Sequence, residues 1–402
     1  MMKMKSLSVF LLVLAGCVFG VYAEIPSVKV EISNKLDFDR VETVELNYDE
    51  LCNRFGVKAL RVIDETGSEL PSQVTYDGKL IFQPSVSAKS KVNVAVQPVR
   101  AFDFGTYATG KMYPQRFDDF CWENDVAGFR AYGPALQDKG ERGFGYDLYL
   151  KRGTSLPVIE HLYNLHFDKE SAAAVEKLKK EGRTEEAKQW RDAHSYHKDN
   201  GYGMDCYAVG PTLGAGATAL IDCDTIVYPW CYKDYEILDE GPVRFTVSLT
   251  FRPGMFQGRN VVENRIITLD KGSNLNRTKV TYRGLDKSVP MVMGIVIHDD
   301  GPVKSSVKEG YMSYLDPTNG PDNGEVYMGA VFPSRPKSIA VENDGKIRHL
   351  LAHFDYSPTD GFDYYWGFGW NRGNVPALAD WNEILAGKSR SLESPLEVRI
   401  LP

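Results

Sequence analysis

From Thr218 onward the chain alternates apolar and polar residues in short runs, and no helix interleaves them before the last strand. Twelve candidate strands cover 219–221, 225–228, 232–239, 243–251, 260–269, 274–282, 291–297, 326–332, 339–341, 349–354, 362–370 and 396–401, with one short helix near 377–385. Period-two alternation with hairpin signals and without crossover helices predicts a large antiparallel β-sandwich. No internal repeat or low-complexity tract interrupts it.

The first part of the chain reads differently. Runs at 28–32, 44–46, 59–62, 73–76, 79–82 and 92–96 are separated by turn residues such as Asp77-Gly78 and Glu65-Thr66-Gly67. Many short strands without helices predict a small immunoglobulin-like β-sandwich over 24–100, a scaffold rather than a site. The large β unit then occupies 101–402, and 402 residues suit two domains. The one convincing helical stretch is 169–193, rich in Ala, Glu and Lys, with Gly182 as a break between two short helices. It is too polar for a core, so an insertion or lid is expected.

Ahead of these lies a secretory signal over 1–23. Lys3 and Lys5 precede an apolar run from Leu7 to Val21, and Val21-Tyr22-Ala23 offers a small-residue cleavage site before Glu24. A second reading takes Leu14-Ala15-Gly16-Cys17 as a lipobox, with Cys17 lipidated. The first predicts a secreted or periplasmic protein, the second an outer-membrane lipoprotein; no later run is long enough for a transmembrane helix. Without the signal five cysteines remain: Cys52, Cys121, Cys206, Cys223 and Cys231. An odd count without C-x-x-C fits neither a disulfide scaffold nor a zinc site, and buried free thiols are expected.

Chemistry concentrates in 194–205, His-Ser-Tyr-His-Lys-Asp-Asn-Gly-Tyr-Gly-Met-Asp. Proton-passing side chains beside backbone-freeing glycines mark a candidate site, with a solvated loop as the plain alternative. His194 and His197, with Asp199 or Asp205, offer a weak metal-ligand set. A second stretch carries Trp122-Glu-Asn-Asp125 and then Phe129-Arg-Ala-Tyr132. Arg130 and Tyr132, two apart on a strand, share a face, and the guanidinium there suits a carboxylate or sulfate; a structural pair with Asp125 is the plain alternative. The stretch 158–165 reads as strand or connection, which sets His161 and His166 on opposite faces. A net charge of −7 without a basic patch argues against nucleic acid. P-loop, Rossmann, Gly-x-Ser-x-Gly and His-Glu-x-x-His motifs are absent. The sequon Asn276-Arg-Thr278 is expected to be idle.

Several motifs together resemble one family. They are Trp122-Glu-Asn-Asp125, Phe129-Arg-Ala-Tyr-Gly-Pro134, Ser195-Tyr-His-Lys-Asp-Asn-Gly-Tyr-Gly-Met-Asp-Cys-Tyr207, Val209-Gly-Pro-Thr-Leu-Gly-Ala-Gly216, Glu240-Gly-Pro-Val-Arg244 and Tyr365-Trp-Gly-Phe-Gly-Trp370. The resemblance is to the secreted bacterial proteins of domain of unknown function 4861, over almost the whole mature chain. The strands after Glu240 are also similar to galactose-mutarotase-like supersandwich proteins, a fold shared by many polysaccharide lyases. The resemblance implies processing of acidic oligosaccharides, with dehydratase activity in some members. It supplies no catalytic residues.

On these residues, β-elimination beside a uronate carboxylate is the expected reaction. Arg130, helped by Asn124, would clamp the carboxylate, His197 would remove the α-proton, and Tyr132 or Tyr202 would protonate the leaving oxygen. Glu123, Asp125, His194, Asp199 and Asp205 are further substrate-binding candidates. Trp366 and Trp370 would share a strand face as a sugar platform, or simply fill the core. Loss of water makes a dehydratase and loss of a sugar makes a lyase. No cofactor is expected. The alternatives are a glycoside hydrolase with two of Glu123, Asp125, Asp199 and Asp205 across the scissile bond, a carbohydrate-binding protein, or an epimerase or mutarotase.

Overall fold

The computed structural model describes residues 25–153, 157–318 and 320–402. The signal stretch and Cys17 lie outside them. The protein is mostly β, with antiparallel sheets and few helices. A nine-stranded sheet runs from the edge strand Tyr232–Asp239 to the edge strand Val303–Ser306, with Phe362–Trp370 in its interior, and two five-stranded sheets share its hydrophobic core. One of these runs through Ala217–Asp222, Val289–Val296 and Ile347–Tyr356. The other runs, in order, through Thr109–Tyr113, Asp119–Glu123, Ala127–Ala131, Tyr146–Lys151 and Gly203–Met204. Each inward set is apolar at period two: Phe120 and Trp122, Phe129, Tyr146 and Leu148 all enter that core.

Residues 28–96 surround a second core containing Val30, Ile32, Leu46, Val62 and Val96. Its main sheet takes the C-terminal strand Glu397–Ile400 beside Val28–Ser33. The expected strands of this part form within two residues of their predicted ends, but Tyr48–Phe55 is a helix where none was expected. Asn47 caps it by accepting from the Glu50 amide, acidic Asp49 and Glu50 fill its first turn, and Gly56 closes it in the left-handed region.

A second correction bears on the site. Val158–His166 is a helix, not a strand. Its apolar residues Val158, Ile159, Leu162 and Tyr163 pack on the outer face of the second five-stranded sheet, against Tyr113, Cys121, Tyr149 and Tyr196. Their spacing of one, three and four residues is helical rather than alternating. Gly128 permits this approach: a Cβ there would lie 2.9 Å from the Tyr149 Cβ and 3.1 Å from the Ile159 Cδ1. The insertion forms Lys169–Lys180 and Thr184–Ala193, with the expected break at Gly182, whose φ is +75°. Among the described residues no helix is long and apolar enough to cross a membrane. The five cysteines are free thiols, with Cys121, Cys206 and Cys231 buried. Asn276 is wholly buried and accepts from the Trp122 indole, so the sequon cannot be reached.

Candidate active site

The alternation that sends Phe120, Trp122, Phe129 and Leu148 inward sends Asp119, Cys121, Arg130, Asp147 and Tyr149 to the opposite face. Arg130 pairs in register with Asp147 on one side and Cys121 on the other. Arg130 as a whole is 2 % exposed. One terminal nitrogen bonds the hydroxyls of Tyr149 at 3.0 Å and Tyr163 at 3.4 Å. The other bonds Asp147 and, at 2.9 Å, the carboxylate of Asp205. Nε faces Asp119 at 3.6 Å. Tyr132 stands beside the guanidinium as expected, with its hydroxyl donating to Asp147 at 2.7 Å. Three carboxylates and three phenols therefore enclose Arg130.

Burial decides the titration of this cluster. Desolvation pushes Asp205 up to about 7, with Asp147 adding to it and Arg130 opposing it. Asp119 rises to about 6 for the same leading reason, opposed by Arg130 and Arg116. Burial also raises the Tyr132 phenol well above its usual range, with Asp147 adding to it.

The loop from Ser195 folds back over this face. Gly203 pairs with the Tyr146–Lys151 strand so closely that a Cβ would lie 1.8 Å from the Leu150 carbonyl oxygen. The Asp205 amide donates to the Tyr196 carbonyl at 2.8 Å, and the His197 Nδ1 sits 2.9 Å from the Asp205 carbonyl. A carbonyl only accepts, so Nδ1 carries the hydrogen and the neutral ring presents its Nε2 lone pair. That Nε2 has no hydrogen bond among the described residues, and the side chain is 55 % exposed. Burial of the ring against its neighbours lowers the His197 pKa, opposed by the Asp205 backbone bond and helped by Arg130.

Residues that sequence reasoning passed over complete the rim. Arg116, in the turn Pro114–Arg116, donates from Nε to the Tyr196 hydroxyl at 3.2 Å. Its Nη groups make no hydrogen bond among the described residues. His166, at the end of the helix that read as a strand, packs on the Tyr196 ring at 4.4 Å and stands 6.4 Å from His197. Desolvation, then His197 and Arg116, hold its pKa below the usual imidazole value.

The structure thus brings together Arg130, Tyr132, His197 and Asp205. The other candidates are elsewhere. Tyr202 packs on His161 at 4.1 Å, and His194 stacks on Trp190 at 5.2 Å. Asp199 pairs with Arg152 at 2.5 Å, and Asp125 accepts from the Gly272 amide at 2.6 Å. Glu123 holds Lys151 and accepts both the Val158 and Ile159 amides at 3.0 Å, anchoring a helix N-terminus. Asn124 fills all its bonds with the Asp270 and Ser273 carbonyls and the Val126 and Ala127 amides, so it does not assist Arg130. Trp366 and Trp370 are 0 % and 2 % exposed, in the core, and form no sugar platform. No group of three or more His, Cys, Asp or Glu among the described residues is arranged to hold a metal ion.

A family model described as a domain of unknown function (DUF4861) matches residues 32–398. The chain belongs to this family. It is 25% identical over 400 residues to "Uncharacterized protein P7" of Formosa agariphila, covering 92% of this chain and 93% of that protein. Two solved Enterococcus faecalis structures, an alpha-mannosidase and a glycosyl hydrolase family 38 protein, superpose with TM-scores of 0.47 and 0.48. Both are 9% identical over 94% of this chain, and it covers 46% and 47% of theirs, so it spans about half the length of the solved structures it matches.

In this DUF4861 chain the resembling motifs serve two ends. Phe129 to Pro134 and Ser195 to Tyr207 build the Arg130 cluster and its loop. Glu240 to Arg244 instead makes a joint with the first 100 residues: Arg244 holds Asp270 at 2.6 Å and Glu45 at 2.8 Å, and Gln73 accepts from the Val243 and Arg244 amides.

Proposed function

We propose that the protein is a secreted or periplasmic carbohydrate-active enzyme that acts on uronate-containing oligosaccharides by β-elimination, as a dehydratase or lyase. The observation that carries this reading is His197, a solvent-facing imidazole whose tautomer is fixed with Nε2 free, on the rim that also holds Arg116 with its Nη donors free. Elimination needs those two functions together. A cation must draw charge from the uronate carboxylate so that C5–H becomes acidic, and a neutral base must take the proton.

Arg130 is enclosed, so the clamp passes to Arg116. His197 Nε2 removes the C5 proton, the C4–O bond breaks, and water at the open rim protonates the leaving oxygen, while the buried Tyr196 hydroxyl accepts from Arg116 Nε and positions that guanidinium. Hydrolysis by paired carboxylates has less support. Glu123, Asp125 and Asp199 are committed to separate contacts, and Asp205 lies buried against Arg130.

The test is ultraviolet absorbance of the conjugated C4–C5 double bond during incubation with uronate-containing oligosaccharides. Absorbance should rise with the natural chain and vanish with His197→Ala. Arg116→Lys should lower kcat/KM by about 10²-fold, the usual cost of one lost transition-state donor. New reducing ends without unsaturated product would overturn elimination. Product masses separate loss of water from cleavage.

A further inference from the structure

We infer that His298 is a positioning residue: its imidazolium latches the segment behind the reactive loop, and loss of its proton releases that segment and sets an alkaline limit on the site. The inference rests on the elimination reading only for its effect on turnover. His298 lies just beyond the strand Val289–Val296 and is approached from two sides. Its Nδ1 stands 2.6 Å from the Asp316 carboxylate, at the end of the strand Tyr311–Asp316. Its Nε2 stands 2.7 Å from the carbonyl of Ala208, in the segment that leaves the reactive loop.

A carboxylate and a carbonyl only accept, so each contact needs a hydrogen on the ring nitrogen. A neutral imidazole carries one such hydrogen; the ring that makes both bonds is the imidazolium. Asp316 is buried, and its other oxygen accepts from the Thr318 amide at 2.9 Å, which holds the carboxylate in place. The Tyr314 hydroxyl accepts from the His298 and Asp299 amides at 3.1 and 3.2 Å and donates to the Asp299 carboxylate at 3.2 Å. Tyr207 meets the His298 ring edge-on at 5.4 Å, and Arg372 acts on the neighbouring Cys206. Two carboxylates and two phenols therefore face the ring. Burial opposes its charge, but the bond to Asp316, the charge of Asp316, the Ala208 carbonyl and Asp299 outweigh burial and raise the pKa above 6.5.

The Ala208 contact matters because of what precedes it in the chain. The Asp205 carbonyl fixes the His197 tautomer through Nδ1, and the Asp205 amide is held by the Tyr196 carbonyl. Cys206 and Tyr207, which follow, are buried. The segment is thus pinned by the loop at Asp205 and by His298 at Ala208. The base keeps its Nε2 free only while the first pin stays in place.

The side chain is 25 % exposed, so its proton exchanges with solvent. After proton loss one hydrogen remains on the ring. A bond to a carboxylate is stronger than one to a carbonyl, so that hydrogen stays on Nδ1 against Asp316. Nε2 then turns a lone pair on the Ala208 oxygen, and an attraction becomes a repulsion. With the folded pKa raised, the latch is complete below 6.5 and is lost as pH rises through the folded value. A base such as His197 is active above its own pKa and gives no alkaline limb. Asp205 also titrates, at about 7, so the assignment must be read on the His298 ring itself.

The experiment is proton–nitrogen NMR of the full chain labelled at histidine, with amide exchange and unsaturated-product kinetics over the same pH series. At a pH of about 6, below the ordinary imidazole value, both His298 nitrogens should carry hydrogen. As His298 titrates, protection at 205–209 should fall and the His197 Nδ1–H signal should weaken with the same midpoint. Asp316→Asn should move that midpoint down by about one pH unit or more, the effect of one lost carboxylate partner. His298→Gln, whose amide donates to Ala208 without titrating, should keep the protection level across the series. In the natural chain kcat/KM should fall about tenfold or more through the midpoint, and His298→Gln should remove that limb. A neutral His298 ring at the acid end would overturn the proposal. So would loop protection and a His197 signal indifferent to the His298 titration. Absence of unsaturated product sinks elimination alone, because protection and the His197 signal decide the latch.

Discussion

Taking a guanidinium out of water costs several kcal/mol, and Arg130 persists at 2 % exposure only because Asp147, Asp205 and Asp119 surround it. Burial first, and the neighbouring Asp147 second, favour the protonated form against the opposing pull of Arg130 and Arg116, and Asp205 rises to about 7. The sign for stability follows. The folded form holds this proton more tightly than the unfolded chain, whose carboxyl keeps its ordinary value of 3.8. The resulting stability is complete below that value and is lost as pH rises through about 7. Asp205→Asn should therefore flatten this part of the stability–pH profile, measured by urea unfolding at intervals across the window. An unchanged slope would mean the proton resides elsewhere in the cluster. His197 behaves oppositely in activity. Its pKa lies below 6.5, so the acid limb of kcat/KM belongs below that value, with the base active above it.

At the scale of elements, the helical insertion fixes the start of the reactive loop. Asp168 caps Lys169–Lys180 through the Ser171 amide, and the Trp190 indole reaches back to the Ser171 hydroxyl at 2.9 Å. His194 then stacks on Trp190, and Asn200 donates to the Asp192 and Ala193 carbonyls. Trp190→Ala should free amide exchange across the loop and reduce kcat/KM. Because Trp190 is 44 % exposed, the global cost should be about 1 kcal/mol, a Tm change of no more than about 2–4 °C. A large Tm loss with unaltered loop exchange would make this helix pair structural only. The two helices and their break were legible because Gly182 interrupts a strong helical composition. Val158–His166 was missed because its short apolar run suits either period, and His166 left the candidate site with it. Asp119, Asp147 and Tyr149 did carry a signal. Each alternates with an apolar neighbour that faces the core, so the polar face of three adjacent strands was readable once their pairing was known. Pairing is non-local, and a single sequence does not disclose it.

The same limit acts on the whole molecule. Alternation from Thr218 onward was enough to predict an antiparallel sandwich, yet nothing local says that the last strand leaves it. Glu397–Ile400 pairs with Val28–Ser33 in register from Val30–Ile400 to Ser33–Glu397, and Leu396 and Ile400 pack on the Val30–Val96 core. The Arg40 guanidinium reaches the Ser394 carbonyl at 2.9 Å, and the Leu401 amide bonds the Lys29 carbonyl at 2.8 Å. Residues 28–96 thus depend on a segment some three hundred positions away. Removing residues 395–402 would strip one ladder and two apolar side chains, a loss of roughly 3 kcal/mol, and would leave Val28–Ser33 as a bare edge. Hydrogen exchange on the truncated chain should then rise at 28–33 and 91–97, while the nine-stranded sheet and the Arg130 cluster keep their protection. The variant should also self-associate through the exposed edge. Protection lost uniformly over the chain would show instead that both cores unfold as one cooperative unit, joined through the contacts of Arg244 with Glu45 and Asp270.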